Sequence, residues 1–469
     1  MEKMKNNKIK IGFVVLAAPT IQVLENCKSD GAMIDCTSTA RSMIREFEGK
    51  GCEIVKYAED DSKNIIMDIP NAIKSSEKFS AEDVDCIIYF VGSYVHAASY
   101  LQSARLLKRP IAVWVPIENA LASGLTLKGS FSEVGGIDFE FFYAGLDNKL
   151  VKENLFAFIK ASYAKSKLAK SIYGRFGGIS LGITSSEIDE NELARVFNVG
   201  VENFDMLAIV EEAKKYSGAE VEKVYKSIMN MVNVVPKFNK VFDKSIRVYL
   251  ALKKMISNYS LDFCSIKCVF DLSRNYVGAC LAQNILLNEG FISTCNSDTK
   301  GAVTMYMINL LNKSSIVYRP DIMKIDYANN TISLRSDGIG NFDMCESKKN
   351  ICLDYQSKFE SPSGGICLNR AVFKQGQVNL AMLSKDKDRF CFHISEGETY
   401  FPGEDDFLIK DQWDQVPPRL PWAYVKIKGN MDNFVLNSFS GFTILVSDDI
   451  KKELVYLAKL LNIDVSLDY

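Results

Sequence analysis

The sequence predicts an α/β protein: two doubly wound parallel-sheet domains followed by a C-terminal antiparallel, β-barrel-like domain. Three observations predict it. Short apolar strands alternate with helical stretches through the first third, and a second strand-first pattern starts near Gly177. From about Ser315 the texture changes to short alternating segments separated by turns.

In order along the chain, Ile9 to Leu16 reads as a buried strand and Thr37 to Glu48 as a helix. Gly51 to Tyr57 and Val84 to Val91 are strand-like, a helical stretch runs to Leu107, and Pro110 opens the strand Ile111 to Pro116. Such sheets bind ligands at the carboxyl ends of their strands, here Ala17-Ala18-Pro19-Thr20, Gly92-Ser93-Tyr94 and Ile117-Glu118-Asn119. A long helix from Lys152 to Ser171 closes this unit. Gly177 to Ile183 then reads as the strand that starts the second, followed by helical segments at Glu190 to Phe197, Asp205 to Tyr216, Val221 to Val235 and Asp243 to Ser257. Phe263 to Phe270 is a buried strand and Ala302 to Leu311 a helix. The third part holds the strands Ile322 to Tyr327, Thr331 to Arg335, Val378 to Leu383, Phe390 to Ile394 and Trp422 to Lys428, and ends on the amphipathic helix Asp448 to Leu461. The expected domains are 1–168, 169–312 and 313–469.

Composition narrows the function. Hydrophobic residues make up 47% and charged residues 24%, as in ordinary globular chains. A net charge of -2 gives no reason to expect nucleic acid or an anionic membrane as partner. No stretch approaches the ~18 apolar residues of a membrane helix. The cysteines, 12 in all, are scattered through apolar strings, which suits a reduced cytoplasm. Cys264 and Cys268 lack the second pair that a zinc site needs.

Missing motifs narrow it further. There is no phosphate loop, no dinucleotide glycine fingerprint after the first strand and no nucleophile elbow, so no nucleotide cofactor is expected. The two histidines are His96, at a strand-to-helix exit where a helix-end role competes with a catalytic one, and His393, which alternates within an apolar strand and reads as structural.

A resemblance enters at the centre of the chain. Gly278-Ala279-Cys280-Leu281 through Gly290, then Cys295-Asn296-Ser297-Asp298 and Gly301-Ala302-Val303, is similar to the central stretch of the L-fucose/L-arabinose isomerases. Asp321-Ile322 to Leu334, Gly364-Gly365-Ile366-Cys367, Gly376-Gln377-Val378 and Val446-Ser447-Asp448 continue the likeness in order. The resemblance implies conversion of an aldose to a ketose through an ene-diol. A carboxylate moves the proton while a divalent cation, manganese or magnesium, polarises the sugar oxygens. It also implies a homo-oligomer, a trimer or hexamer.

Carried over by position, the strand-end acid is Asp271 and the loop aspartate Asp298, which together form the expected catalytic and metal-binding pair. Asn296 stands where the family has a glutamate; Arg335-Ser336-Asp337-Gly338 and Ser440 or Gly441 stand where it has histidines. Asn296, Arg335 and Ser440 are the expected sugar contacts. Helix capping is the competing role for Asp271 and Asp298, and a hairpin turn for Asp337-Gly338. Lys267, Arg274 and Arg335 lie near the cleft in sequence and would favour an anionic sugar, with surface solvation as the alternative.

Two functions remain open: a sugar isomerase, and a non-catalytic carbohydrate- or partner-binding paralogue on the same fold. Convergence of Asp271 and Asp298 on one point favours the first; separate capping roles favour the second.

Overall fold

The computed structural model describes residues 8–17, 32–59, 64–116, 120–145, 147–358, 361–402 and 420–468, with backbone alone over 32–38. The strand-end segments 18–20 and 117–119 lie outside the described residues. The chain divides into two compact units, Met1–Ser166 and Lys167–Tyr469.

The first unit is a parallel sheet. Its elements are β1 (Lys10–Leu16), α1 (Ala32–Gly49), β2 (Glu53–Lys56), β3 (Ile65–Ile66), α2 (Ile69–Ala81), β4 (Cys86–Val91), α3 (Ala98–Leu107), β5 (Ile111–Val115), α4 (Leu121–Val134), β6 (Phe139–Tyr143) and α5 (Lys149–Leu168). The strand order is β2-β1-β4-β5-β6, with β3 continuing the edge beside β1. The order reverses between β1 and β4, the doubly wound arrangement. Residues 86–91 are buried without exception, as a strand covered on both faces requires. Asp68 caps α2 by accepting from the Asn71 amide at 2.8 Å. The α4 and β6 elements were not expected from the sequence.

The second unit opens with β7 (Ile172–Phe176), β8 (Gly200–Phe204), α6 (Met206–Ala213), α7 (Gly218–Met231), α8 (Lys240–Asn258), β9 (Phe263–Ile266), α9 (Cys280–Asn288), β10 (Ile292–Thr294) and α10 (Thr299–Leu311). Its four parallel strands run in the order β10-β9-β7-β8. Two expectations are corrected here. The strand placed at Gly177 to Ile183 lies earlier, at Ile172–Phe176, because Gly177 (φ +83°) turns the chain out of the sheet, and Leu181 and Gly182 are also left-handed. The strand expected to reach Phe270 stops at Ile266, since Phe270 has φ +59°.

The same unit continues into an antiparallel sheet built from β11 (Val317–Tyr318), β12 (Asp321–Asp326), β13 (Thr331–Arg335), β16 (Gly376–Asp386), β17 (Arg389–Thr399), β18 (Trp422–Ile427), β19 (Ile444–Val446) and β20 (Asp464–Leu467). A separate hairpin pairs β14 (Cys352–Tyr355) with β15 (Ile366–Asn369), and the helices are α11 (Met431–Asn437) and α12 (Lys451–Leu460). The order is β11-β19-β16-β17-β18-β13-β12, with β20 parallel beside β17. Asp321, the first residue of β12, bridges Phe442 just ahead of β19, and the Ile322 amide donates to the Gly441 carbonyl at 2.8 Å. These bonds bring the last strand of the sheet back towards the first, giving the barrel-like closure that positions the site below. Asp337-Gly338 does not join two paired strands, because β13 is flanked by β12 and β18.

Gly174 in β7 is a point of close approach: a Cβ there would meet Leu261 Cδ1 at 2.5 Å. Gly174→Val is expected to cost about 1–3 kcal/mol through overpacking, read as a lower midpoint in urea unfolding; an unchanged midpoint would show that Leu261 moves aside freely.

Candidate active site

The carboxyl ends of β9 and β10 face the place where the barrel-like sheet closes, all within the second unit. After β10 the chain reverses through Asn296 (φ +57°) and Ser297 (φ +52°), two successive left-handed residues. Ser297 Oγ donates to the Gly178 carbonyl at 2.7 Å and Thr294 Oγ1 to the Asp298 carbonyl at 2.9 Å, which pins the loop.

That loop delivers Asp298 into the interior with no exposed surface. Its Oδ1 accepts from the Gly301 amide at 2.8 Å, capping α10. Its Oδ2 accepts from Arg319 Nε at 2.7 Å. Arg319 leads from β11 into β12, its side chain is 8% exposed, and its guanidinium lies 3.6 Å from the centroid of the Phe442 ring. Burial pulls the guanidinium down, but Asp298 and Asp321 more than offset it and hold it protonated.

Further charges gather around this pair. Asp321 stands opposite Arg335 in the β12–β13 ladder, which puts both on one face of the sheet. Burial raises the Asp321 carboxyl to about 6 against the pull of Arg319, and the nearby Asp337 adds to the rise. Lys300, in the first turn of α10, is 6% exposed; burial lowers its ammonium while Asp298 acts the other way.

Arg319 and Asp337 line one narrow cavity of about 20 Å³, together with Ser293, Thr294, Cys295 and Ser336. Arg319 Nη2 is buried there without a hydrogen-bond partner. Among the described residues no hydrogen bond or ion pair reaches the Asp337 carboxylate.

The expected residues divide accordingly. Asp298 sits at the centre of the cluster, Arg335 borders it through Asp321, and Asn296, buried in the loop before Asp298, accepts from Cys295 Sγ at 3.5 Å. Asp271 has different neighbours: its carboxylate is 3.9 Å from Lys267 Nζ, and Asn275 Nδ2 donates to its backbone carbonyl at 3.0 Å. Asp271 and Asp298 share no partner. Arg274 is exposed, 5.4 Å from the Phe270 ring centroid. Ser440 Oγ accepts from the Phe442 amide at 3.1 Å and lines a second small hollow with His393, Asn437 and Phe442. His393 is 2.9 Å from both oxygens of Asp468 and ties β20 to β17. His96, in the first unit, packs edge-on against Tyr94 with ring centroids 5.4 Å apart.

The donor set does not fit the divalent cation that the resemblance implies. Among the described residues no group of three His, Cys, Asp or Glu side chains can hold a metal ion. Both oxygens of Asp298 already accept bonds, one of them from a cation. Arg319 is the residue that sequence reasoning missed. Its only signal is an arginine between apolar Ile316-Val317-Tyr318 and Pro320, which does not reveal that it is buried.

No protein-family model matches the chain. It is 20% identical over 344 residues to the sulfoquinovose isomerase of Priestia aryabhattai, which covers 68% of this chain and 73% of that one. It is 21% identical over 382 residues to the sulfoquinovose isomerase of Alkalicoccus urumqiensis, covering 76% and 80%. Among solved structures, a periplasmic solute-binding protein of an ABC transporter from Actinobacillus succinogenes, with bound D-allose, aligns at 12% identity over 65% of this chain and 92% of that one, with a TM-score of 0.17. That score lies far below the level of a shared fold. The chain thus shows a distant sequence likeness to sugar isomerases.

Two outcomes follow from the cluster. Asp298→Asn removes the carboxylate bonded to the buried Arg319, leaving the nearby Asp321 to offset its charge, and is expected to cost about 3–5 kcal/mol, measured by chemical denaturation; a loss well under that would mean the pair is solvated. Asp321 gives a pH signature. Its folded-state value of about 6 exceeds the ordinary 3.8, so between these the folded chain holds a proton that the unfolded chain releases. Its contribution to stability is present at low pH and is lost as pH rises through about 6. Asp321→Asn should flatten that part of the stability profile, and an unchanged slope would assign it to other groups.

Proposed function

We propose that this chain is an aldose–ketose isomerase acting on an anionic sugar of the sulfoquinovose kind through an ene-diol, at the carboxyl ends of β9 and β10. The observation that carries the reading is the likeness to sulfoquinovose isomerases, which extends over more than two thirds of the chain. Three features support it: a buried carboxylate cluster at the strand ends, a permanently charged arginine in its midst, and the buried Lys300 near Asp298 to favour a negative substrate. L-Fucose and L-arabinose are the neutral substrates of the same reading. The proposed assembly is a homo-oligomer, a trimer or hexamer.

A second reading has its own observation. Asp298 is engaged by a helix amide and by Arg319, as in a site that binds a carbohydrate or a partner without turnover. Manganese or magnesium, if used, would draw on Asp271 and Asp298.

One assay separates these readings. Purified protein, with and without EDTA treatment, is incubated with sulfoquinovose, L-fucose and L-arabinose, and ketose formation is followed by NMR. Turnover of sulfoquinovose that survives chelation is the expected result. Turnover that needs added manganese would restore a metal site, and saturable calorimetric binding without ketose would establish the non-catalytic paralogue.

A further inference from the structure

Two residues with unsatisfied groups line the cavity beside the buried ion pair. Arg319 Nη2 is a charged donor with no partner, on a side chain only 8% exposed. An unpaired buried donor costs about 1–3 kcal/mol, and such groups in a folded protein call for an explanation such as a ligand. Asp337 lines the same cavity with an acceptor that no described residue engages. Ser293, Thr294 and Ser336 also line it, their hydroxyls bonded to Gln283 and to the Asp298 and Ile339 carbonyls, and the rest of the wall is mainly apolar. One donor and one base at the same narrow, mainly apolar cavity are what the two ends of an α-hydroxy carbonyl require.

We propose that Arg319 and Asp337 are the catalytic pair of this site, Arg319 polarising the sugar carbonyl in place of a metal ion and Asp337 carrying the proton between C1 and C2; this rests on the isomerase reading above. Asp337 removes the proton from C2. The C–H electron pair forms the C1–C2 double bond, and the carbonyl π pair moves onto O1, where Arg319 Nη2 donates to the developing oxyanion. The hydroxyl proton of O2 passes to O1 within the ene-diol. Protonated Asp337 then returns its proton to C1 as the double bond shifts to C2–O2. Atoms and electrons balance without a metal, an oxidant or a second substrate.

The surroundings suit these roles. Asp298 fixes Arg319 through Nε, Phe442 supports the guanidinium face, and the free Nη2 edge is left for the substrate. Asp337 belongs to a segment held by its own backbone: its carbonyl accepts from Gln356 Nε2 at 3.0 Å, which leaves the side chain unburdened. At about 20 Å³ the space takes one water-sized group. It therefore admits no more than the carbonyl end of an open-chain sugar, with Met305, an adaptable side chain, also in its lining.

The test uses the full-length protein after EDTA treatment, with sulfoquinovose in D2O, and reads both ketose formation and deuterium incorporation at the exchanging carbon. Asp337→Asn, a half-buried change that breaks no described bond, should fold with an unchanged Tm and lower kcat by about 10²–10⁴-fold with KM little altered. Deuterium incorporation should fall in parallel. Arg319→Lys keeps the charge beside Asp298 and should retain the fold while losing kcat by about 10²-fold. A wild-type enzyme that turns over while Asp337→Asn is undiminished overturns this proposal alone. Activity abolished by EDTA and restored by manganese overturns the role of Arg319. A wild type with neither turnover nor exchange on sulfoquinovose, L-fucose or L-arabinose overturns the isomerase reading and this pair with it.

Discussion

The closure of the antiparallel sheet is the constraint on which the rest of the second unit depends. Asp321 must meet Phe442 for β12 to come round to the β19 side, and that meeting, with Pro320 between, restricts the direction in which Arg319 can point. The guanidinium goes inward, under the Phe442 ring and towards the end of the parallel sheet. A buried arginine persists only with a carboxylate to receive it, and the loop after β10 supplies Asp298. The two sheets share one apolar core, and this charge pair is buried where their ends meet. Asp321 is raised chiefly by its burial, with Asp337 and Asp298 adding to the rise against the pull of Arg319 and Arg335.

Much of the fold was legible because its signal is local. Fully apolar runs such as residues 86–91 have few alternatives to a covered parallel strand, and Asp298 ahead of Thr299 marks a helix start by chemistry alone. β8 was missed for the converse reason: it is a largely exposed edge strand, so burial left no alternation in its sequence. The strand misplaced at Gly177 shows how a glycine-rich exit imitates a new element when the strand before it, Ile172–Phe176, is short and carries Gly174 and Arg175.

The site was half legible. The order of motifs led to Asp298, which lies in the buried polar cluster, and to Asn296, which is buried in the loop before it. Asp271 looked equivalent by sequence, but one residue earlier Phe270 is left-handed, and the turn it makes faces the carboxylate towards Lys267. Arg319 was invisible because a charged residue next to a proline reads as a solvated turn. Only the pairing of distant strands shows that it has nowhere to go but the interior.

The Arg319–Asp298 pair also constrains how this chain can change over generations. Each charge is tolerated because the other is present, so a single substitution towards a metal-binding set strands its partner before any cation can compensate. Replacing Arg319 leaves the buried Asp298 with the Gly301 amide and the nearby Lys300, and replacing Asp298 leaves a guanidinium supported by the Phe442 ring and the nearby Asp321. Reversal needs both positions to move together, which makes the exchange of a bound ion for a side-chain cation a one-way step: a lineage that has taken it adapts by refining the arginine's surroundings.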